Sequence, residues 1–333
     1  MGGGRKLNWG IIGCGALAER QLAPAIQAGA NSRLAAVYSR DLARGEDFAR
    51  RHGAGRAYDD LAAFLADPEL EVVYIGTPPH LHCEQAVAAS RAGKHILCDK
   101  PMAMNSAEAA RMVEAARAAG VKLMAGFMMR FNVYNRKAAE LLRAGALGKL
   151  IHIRIQASYN LPDTSFNWRQ DPTLAGGGSL FDMGSHAVDL LRFFNGEIAS
   201  ALAFVDNRAY AYPVEDTALA LLRFAGGGYA TLDASFSEKA PSRNIDIFGN
   251  QGSLWLTGSI GRNATGVLNG FLNGERKEFT LEPKHIYISE VEELGRAILE
   301  DRPPEVSGED GWRNLLVLEA IYRSGREGRL VNL

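Results

Sequence analysis

At 333 residues the chain is long enough for two domains of ordinary size, since length divided by roughly 150 gives about two. Lys and Arg number 37 and Asp and Glu 38, a formal net charge of -1. The chain as a whole therefore gives no electrostatic reason to bind nucleic acid or an anionic membrane, and a small-molecule partner is expected instead. Cys14, Cys83 and Cys98 are odd in number and lack C-x-x-C spacing, so they read as reduced interior thiols. The start, MGGGRKLNWGIIGCG, runs straight into a strand without a charged segment, apolar stretch and cleavage site. No later window reaches about 18 consecutive apolar residues, so a cytoplasmic protein is expected; Gly2-Gly3-Gly4 reads as a leader without function.

In chain order, WGIIG is a short apolar run entering a glycine turn, and LAERQLAPAIQAG has apolar residues at helical spacing and a glycine stop. LAAVYS resumes strand character, DLARGEDFARRHG reads as a helix, and VVYIG, HILCD and VKLMAGF supply further strands between alanine-rich helical stretches. Residues 1–127 thus read as βα units around a mostly parallel sheet with helices on both faces, a dinucleotide-binding domain. The rhythm then changes. MRFNVYNRKAAELLRAGALG predicts one helix and KLIHIRIQASY a strand with two unlike faces. The irregular segment NLPDTSFNWRQDPTLAGGGS exceeds an ordinary connection, as functional loops do, and leads to a helix around HAVDLLRFFNG. ALAFVDNRAY, TALALLRFA, GYATLDASFS, RNIDIFG, GSLWLTG and KEFTL predict strands, with glycine turns that favour antiparallel pairing. SEVEELGRAILED and GWRNLLVLEAIYRSGREG close the chain as amphipathic helices. Residues 128–333 are accordingly expected to form an α+β domain with an open, mainly antiparallel sheet for substrate binding and oligomerisation.

Gly13-Cys14-Gly15-Ala16-Leu17-Ala18 matches G-x-G-x-x-A between a predicted strand and a predicted helix. Gly13 permits the tight turn, Gly15 leaves room for a pyrophosphate, Ala18 allows close packing, and the helix start offers N–H groups to phosphate. The second strand ends Val37-Tyr38-Ser39-Arg40-Asp41. An NAD site places an acidic side chain near this point for the ribose hydroxyls, whereas Ser39 and Arg40 suit a 2′-phosphate. NADP(H) is therefore favoured, with NAD(H) the alternative. Asp41 is either a helix N-cap or, one register away, the ribose acceptor.

After that glycine turn come Thr77-Pro78-Pro79-His80-Leu81-His82, then Asp99-Lys100-Pro101, then Gly176-Gly177-Gly178-Ser179-Leu180-Phe181-Asp182-Met183-Gly184-Ser185-His186. With these motifs in this order the chain resembles, over essentially its full length, the glucose-fructose oxidoreductase / inositol dehydrogenase / rhizopine-catabolism (Gfo/Idh/MocA) family. The resemblance implies a Rossmann domain followed by an α/β domain whose open sheet mediates homodimers or homotetramers, and oxidation or reduction of sugars, cyclitols and related hydroxy compounds. It further implies that Thr77, Pro78, His80 and His82 lie along the cofactor and that Trp168-Arg169 approaches nicotinamide or phosphate. Lys100 then corresponds to the lysine of the family's E-K-P motif, and Asp182 and His186 to its aspartate-histidine pair. Asp99 stands where the family has glutamate, one methylene shorter, which alters how the nicotinamide ribose or the lysine is held.

Hydride transfer from an alcohol carbon requires the hydroxyl proton to leave, and reduction of a carbonyl requires one to arrive. His186 suits both because an imidazole exchanges protons near neutrality. Asp182 orients His186 or binds a substrate hydroxyl. Lys100, after the HILCD strand, should emerge at the carboxyl edge of the sheet, where its cation polarises the substrate oxygen. Arg130, Tyr159, Asn160 and Trp168 are further pocket candidates, with an ion pair, turn hydrogen bonds and core packing as their respective alternatives. His80 and His82 lack a third and fourth ligand, so no metal is expected. The sequence thus points to an NAD(P)-dependent interconversion of alcohol and carbonyl on an unphosphorylated sugar or cyclitol. The alternatives are NAD-dependent, redox-assisted glycoside cleavage and a non-catalytic, nucleotide-responsive regulator.

Overall fold

The computed structural model describes residues 5–164, 167–263 and 265–333, so the expected leader at residues 2–4 lies outside the described residues. The chain divides into two compact units. The first runs to Gly126 and takes back Tyr287–Trp312; the second holds Phe127–Ile286 and Arg313–Leu333.

In the first unit, strands β1 (Leu7–Ile12), β2 (Ser32–Tyr38), β3 (Arg56–Tyr58), β4 (Val72–Ile75), β5 (His95–Asp99) and β6 (Leu123–Gly126) form one parallel sheet in the order β3-β2-β1-β4-β5-β6. Apolar runs such as VVYI form strands here because helices cover both faces; all four residues of β4 are buried. Strand order reverses between β1 and β4, and this switch point opens a crevice at the carboxyl ends of the strands.

Against the expected domains of 1–127 and 128–333, the first compact unit ends at Gly126 and also holds Tyr287–Trp312. Ala125 N donates to the Val306 carbonyl at 3.1 Å, and Ala30 N and Asn31 Nδ2 each donate to Glu292 at 2.9 Å. These bonds tie residues 287–312 to the first unit, a long-range pairing that no local pattern announces.

The second unit is built on nine strands: β7 (Leu150–Ser158), β8 (Ile198–Asp206), β9 (Thr217–Phe224), β10 (Tyr229–Ser235), β11 (Arg243–Gly249), β12 (Gly252–Thr257), β13 (Val267–Leu272), β14 (Glu275–Phe279) and β15 (Val331–Asn332). Their order is β14-β13-β12-β11-β7-β10-β9-β8-β15, antiparallel throughout except for β7 with β10. In β9 the residues alternate strictly, Ala218, Ala220, Leu222 and Phe224 inward and Leu219, Leu221 and Arg223 outward, so one face is core and the other is open. Where one long helix is expected from Met129, a 3₁₀ turn at Met128–Phe131 precedes the helix Val133–Arg143, because Asn132 caps the latter by accepting from Tyr134 N at 2.9 Å. β13 is not expected from its sequence, since Asn269-Gly270 looks like a turn. Gly270 instead occupies an inward position where a Cβ would stand 3.0 Å from Leu254 Cδ2.

The true hairpin turn is Asn273-Gly274, with φ of 55° and 83°, the pair of positive values that a two-residue type I′ loop requires. No described helix is long and apolar enough to cross a membrane. Gly274→Ala meets no neighbouring atom but carries a side chain into left-handed backbone, so it should lower stability by about 1 kcal/mol. Urea unfolding should show a lower midpoint at unchanged slope; an unchanged midpoint would contradict the turn assignment.

Candidate active site

In the first unit the crevice is built from three chain turns at the carboxyl edge. After β1, Gly13 has φ +98°, and a Cβ there would lie 3.0 Å from Thr77 Cγ2 and 3.2 Å from the Gly76 backbone. Only glycine lets this turn lie against the turn after β4. A Cβ at Gly15 would meet only the Gly76 carbonyl oxygen, at 3.9 Å, so the space above Gly15 is open. Cys14, Ala16 and Leu17 complete the turn into the helix, and Ala18 is buried behind it. The turn fits a dinucleotide pyrophosphate, with Gly15 leaving room for it and the helix start facing it. The Cys14 thiol is buried, and that burial pushes its pKa up to about 11 against the opposing charge of Arg44, so it is a neutral packing group.

At the end of β2, Asp41 Oδ1 accepts from Arg44 N at 3.1 Å and caps the helix Leu42–His52, the capping role expected as one of its two alternatives. Ser39 is buried and accepts from Asp41 N at 3.3 Å, while Arg40 is exposed. Arg44, which the sequence reading missed, donates Nη2 to the Cys14 carbonyl at 2.7 Å and so braces the glycine turn. Its signal is faint, one arginine among several on an exposed helix.

After β4, the Thr77 hydroxyl donates to Gln85 Oε1 at 2.6 Å, Pro78 precedes a 3₁₀ turn, and His80 is half-buried. His82, expected along the cofactor, is instead 1% exposed. Nε2 faces the Thr77 carbonyl at 2.7 Å and Nδ1 the Pro101 carbonyl at 3.1 Å. Burial pushes the ring towards its neutral form, and Asp99 pulls the other way. His82 thus lies beneath the surface between the Thr77 turn and the turn after β5, its neutral ring having one N–H for the two carbonyls, because it opens the helix His82–Arg91 with its side chain inward. In that turn Asp99 Oδ1 accepts from Lys100 N at 2.9 Å, the Lys100-Pro101 peptide is cis, and Lys100 is half-buried at the carboxyl edge.

In the second unit, Asp182 and His186 sit four positions apart on one continuous helical run, whose Leu180–Gly184 stretch is π-helical and whose Ser185–Asn195 stretch is α-helical. Asp182 Oδ2 accepts from the Tyr159 hydroxyl at 2.7 Å, and Arg169 Nε stands 3.5 Å from the same oxygen. The Arg169 guanidinium also lies over the Trp168 ring, 4.3 Å from its centroid, a cation–π contact that joins the two residues. Burial, with the Asp182 carboxylate second, drives the Tyr159 pKa far upward, so its hydroxyl stays protonated and donates; the charges of Arg169 and Arg262 oppose this. Arg262, exposed in the loop after β12, is another residue that sequence reading did not find. His186 is 3% exposed, with the Phe127 ring edge-on at 6.2 Å. Asn160 is exposed and its Oδ1 accepts from Tyr210 at 2.6 Å.

Arg130 departs from its expected place in the substrate pocket. Its Nε lies 3.0 Å from both Asp189 oxygens and Nη2 2.6 Å from one, and both side chains are buried. The reason is electrostatic: Asp189 is on the inner side of the His186 helix, 1% exposed, where an unpaired carboxylate is costly.

Residues 7–127 match the family model described as oxidoreductase family, NAD-binding Rossmann fold, and residues 135–255 match the Gfo/Idh/MocA C-terminal domain. The chain belongs to the Gfo/Idh/MocA oxidoreductase family. It is 31% identical to the 1,5-anhydro-D-fructose reductase of Ensifer adhaerens, over 98% of both chains. It is 32% identical to D-xylose 1-dehydrogenase (NADP(+)) 2 of Haloferax volcanii, over 98% of this chain and 100% of that one. Among solved structures, the aldose-aldose oxidoreductase of Caulobacter crescentus complexed with glycerol superposes with a TM-score of 0.93 at 31% identity, covering 99% of this chain and 100% of the other. As a Gfo/Idh/MocA member the protein is an NAD(P)-dependent oxidoreductase, and its NAD-binding Rossmann model spans residues 7–127, the glycine turn included.

Replacing Arg130 by alanine strands a buried carboxylate and should cost about 3–5 kcal/mol, seen as a large fall in thermal midpoint. An unchanged midpoint with a raised KM for substrate would return Arg130 to the pocket.

Proposed function

We propose that this enzyme interconverts a secondary alcohol or anomeric hydroxyl with the corresponding carbonyl on an unphosphorylated sugar or cyclitol, with NADP(H) as its preferred cofactor. The broader activity, NAD(P)-dependent oxidation or reduction at CH–OH groups of sugars and polyols, is supported by full-length relatives named as a 1,5-anhydro-D-fructose reductase, an NADP(+) D-xylose dehydrogenase and an aldose-aldose oxidoreductase. The observation that carries the finer reading is the arrangement about Asp182, where Tyr159 and Arg169 converge on one carboxylate a single turn before His186.

In this reading His186 takes the hydroxyl proton in oxidation and returns one in reduction. Asp182, met by Arg169 and fixed by the Tyr159 hydroxyl, orients His186 or accepts from a substrate hydroxyl. Lys100 steadies the substrate oxygen as negative charge develops on it. Tyr159, Asn160 and Trp168 offer hydroxyl, amide and ring surfaces suited to a polyhydroxylated substrate. Nicotinamide, when bound, accepts or donates the hydride. Support for NADP comes from Arg40, exposed at the end of β2, and from the engagement of Asp41 Oδ1 in the helix cap.

Titration calorimetry of the cofactor-free protein should find NADPH binding at least about tenfold tighter than NADH, with the difference lost in Arg40→Ala. Tighter NADH binding that ignores the substitution would overturn the NADP preference. Lys100→Ala should keep its cofactor affinity while turnover of the best sugar or cyclitol substrate falls about a hundredfold; undiminished turnover would remove the lysine from the mechanism.

The open face of the second sheet supports a homo-oligomer. Leu202 pairs across strands with Leu221 and Phe204 with Leu219, and their exposures are 38, 53, 80 and 47%. Such a contiguous apolar patch suits a second copy of the same surface, in a homodimer or homotetramer. Light scattering should show an oligomer that dissociates or weakens in Phe204→Asp; a native monomer would contradict the assignment.

A further inference from the structure

We propose that Glu215 is a positioning residue for the reaction, one that sets the turn from which Asp182 and His186 project; the inference rests on the function proposed for that pair. Glu215 lies just before β9, is 8% exposed, and touches neither a substrate-facing group nor the reacting residues directly. Three consecutive backbone N–H groups nevertheless end on it. Gly178 N lies 3.0 and 2.9 Å from its two carboxylate oxygens, and Leu180 N donates to Oε1 at 2.9 Å. Between them, Ser179 N donates to its backbone carbonyl at 3.0 Å. The Tyr322 hydroxyl donates to Oε1 at 2.7 Å.

These three N–H groups begin the helical run that carries Asp182 and His186, and the first N–H groups of a helix have no partner within it. A buried carboxylate satisfies them and complements the positive end of the helix dipole. Contact is direct because a Cβ at Gly178 would stand 2.0 Å from the Glu215 carbonyl oxygen, and one at Gly177 would stand 2.2 Å from the Tyr322 hydroxyl. The glycine run is therefore the counterpart of Glu215 and Tyr322, independent of any room it leaves for a ligand.

The neighbouring residue works on the opposite side of the same hydrogen bond. The Asp216 carboxylate accepts from Arg208 N, Ala209 N and Tyr210 N at 2.9, 2.8 and 2.8 Å. From that loop the Tyr210 hydroxyl reaches Asn160, and the Tyr212 hydroxyl reaches the Leu161 carbonyl at 3.2 Å. The Tyr159 to Asp182 bond thus joins two segments that are both registered on residues 215 and 216. An error of a few tenths of an ångström at Glu215 passes to Asp182 and His186 along one rigid turn, where proton transfer depends on geometry.

The test uses the full-length protein, with Glu215→Gln and the milder Tyr322→Phe. The glutamine presents an amide N–H₂ to backbone donors; the phenylalanine removes one donor and leaves the carboxylate. Hydrogen exchange by mass spectrometry should show peptides across residues 176–186 exchanging about tenfold faster in Glu215→Gln, with the sheet peptides unchanged. Turnover on the most active of D-xylose, myo-inositol and 1,5-anhydro-D-fructose should fall about tenfold in kcat for Glu215→Gln and about threefold for Tyr322→Phe, with KM moving less than about twofold. Native exchange in this turn, native kcat in both variants, or a kcat loss that merely tracks the unfolded fraction would overturn the proposal. Should Glu215→Gln not fold, Tyr322→Phe decides by the same criteria. Should the native enzyme turn over none of the three compounds, the function proposal is what fails, and the exchange result alone decides the role of Glu215.

Discussion

A Cβ at Gly178 would stand 2.0 Å from the Glu215 carbonyl oxygen, and one at Gly13 would stand 3.2 Å from the Gly76 backbone. Both contacts are backbone against backbone, and each unit has one beside its candidate site residues. In the first unit the approach places the glycine turn after β1 against the Thr77 turn after β4, and His82 lies beneath, between that turn and Lys100-Pro101. In the second it places the helix start on a carboxylate. Side chains could not have been interposed at either place without moving the groups that face a ligand.

This constraint explains which parts of the site are legible in the sequence. A glycine required by close approach leaves a local signature, so G-x-G-x-x-A, the Thr77 turn and the Gly176–Ser179 run stand out by their residue types alone. Strands of the first unit are equally legible, because burial on both faces demands unbroken apolar runs such as VVYI and HILCD. β13 is not, because an inward glycine that makes room for Leu254 looks like a turn when its neighbour across the sheet is unknown. The helix expected over residues 289–301 forms as Ile286–Leu299, yet residues 287–312 fall in the first unit, since their allegiance rests on bonds to Ala30, Asn31 and Ala125.

The functional side chains divide along the same line. Lys100, Asp182 and His186 are recognisable by residue type within motifs, whereas the partners that decide what the others do are far away in sequence. Arg130 and Asp189 are 59 positions apart, Glu215 and Tyr322 are 107 apart, and Tyr159 and Asp182 are 23 apart. An arginine at a strand end and a histidine near a proline turn look much the same whether they face a ligand or the core. Their roles follow from burial, and burial is a property of the assembled unit.

Electrostatics connects these partners to the chemistry. Near His186 the chain carries two carboxylates on one helical run, Asp182 and Asp189, and both are met by arginine. At an effective dielectric of about 20, an unpaired charge at 4 Å acts with about 4 kcal/mol, enough to move a proton equilibrium by roughly three powers of ten. Arg130 cancels Asp189 with a bidentate contact inside the core, and Arg169 offsets Asp182 at the more open end. Each carboxylate of this helical run is therefore offset by a guanidinium. Arg130 thus meets Asp189 in the core three positions after His186, and in the mechanism proposed above this leaves Asp182, held by Tyr159, as the carboxylate that meets the developing charge.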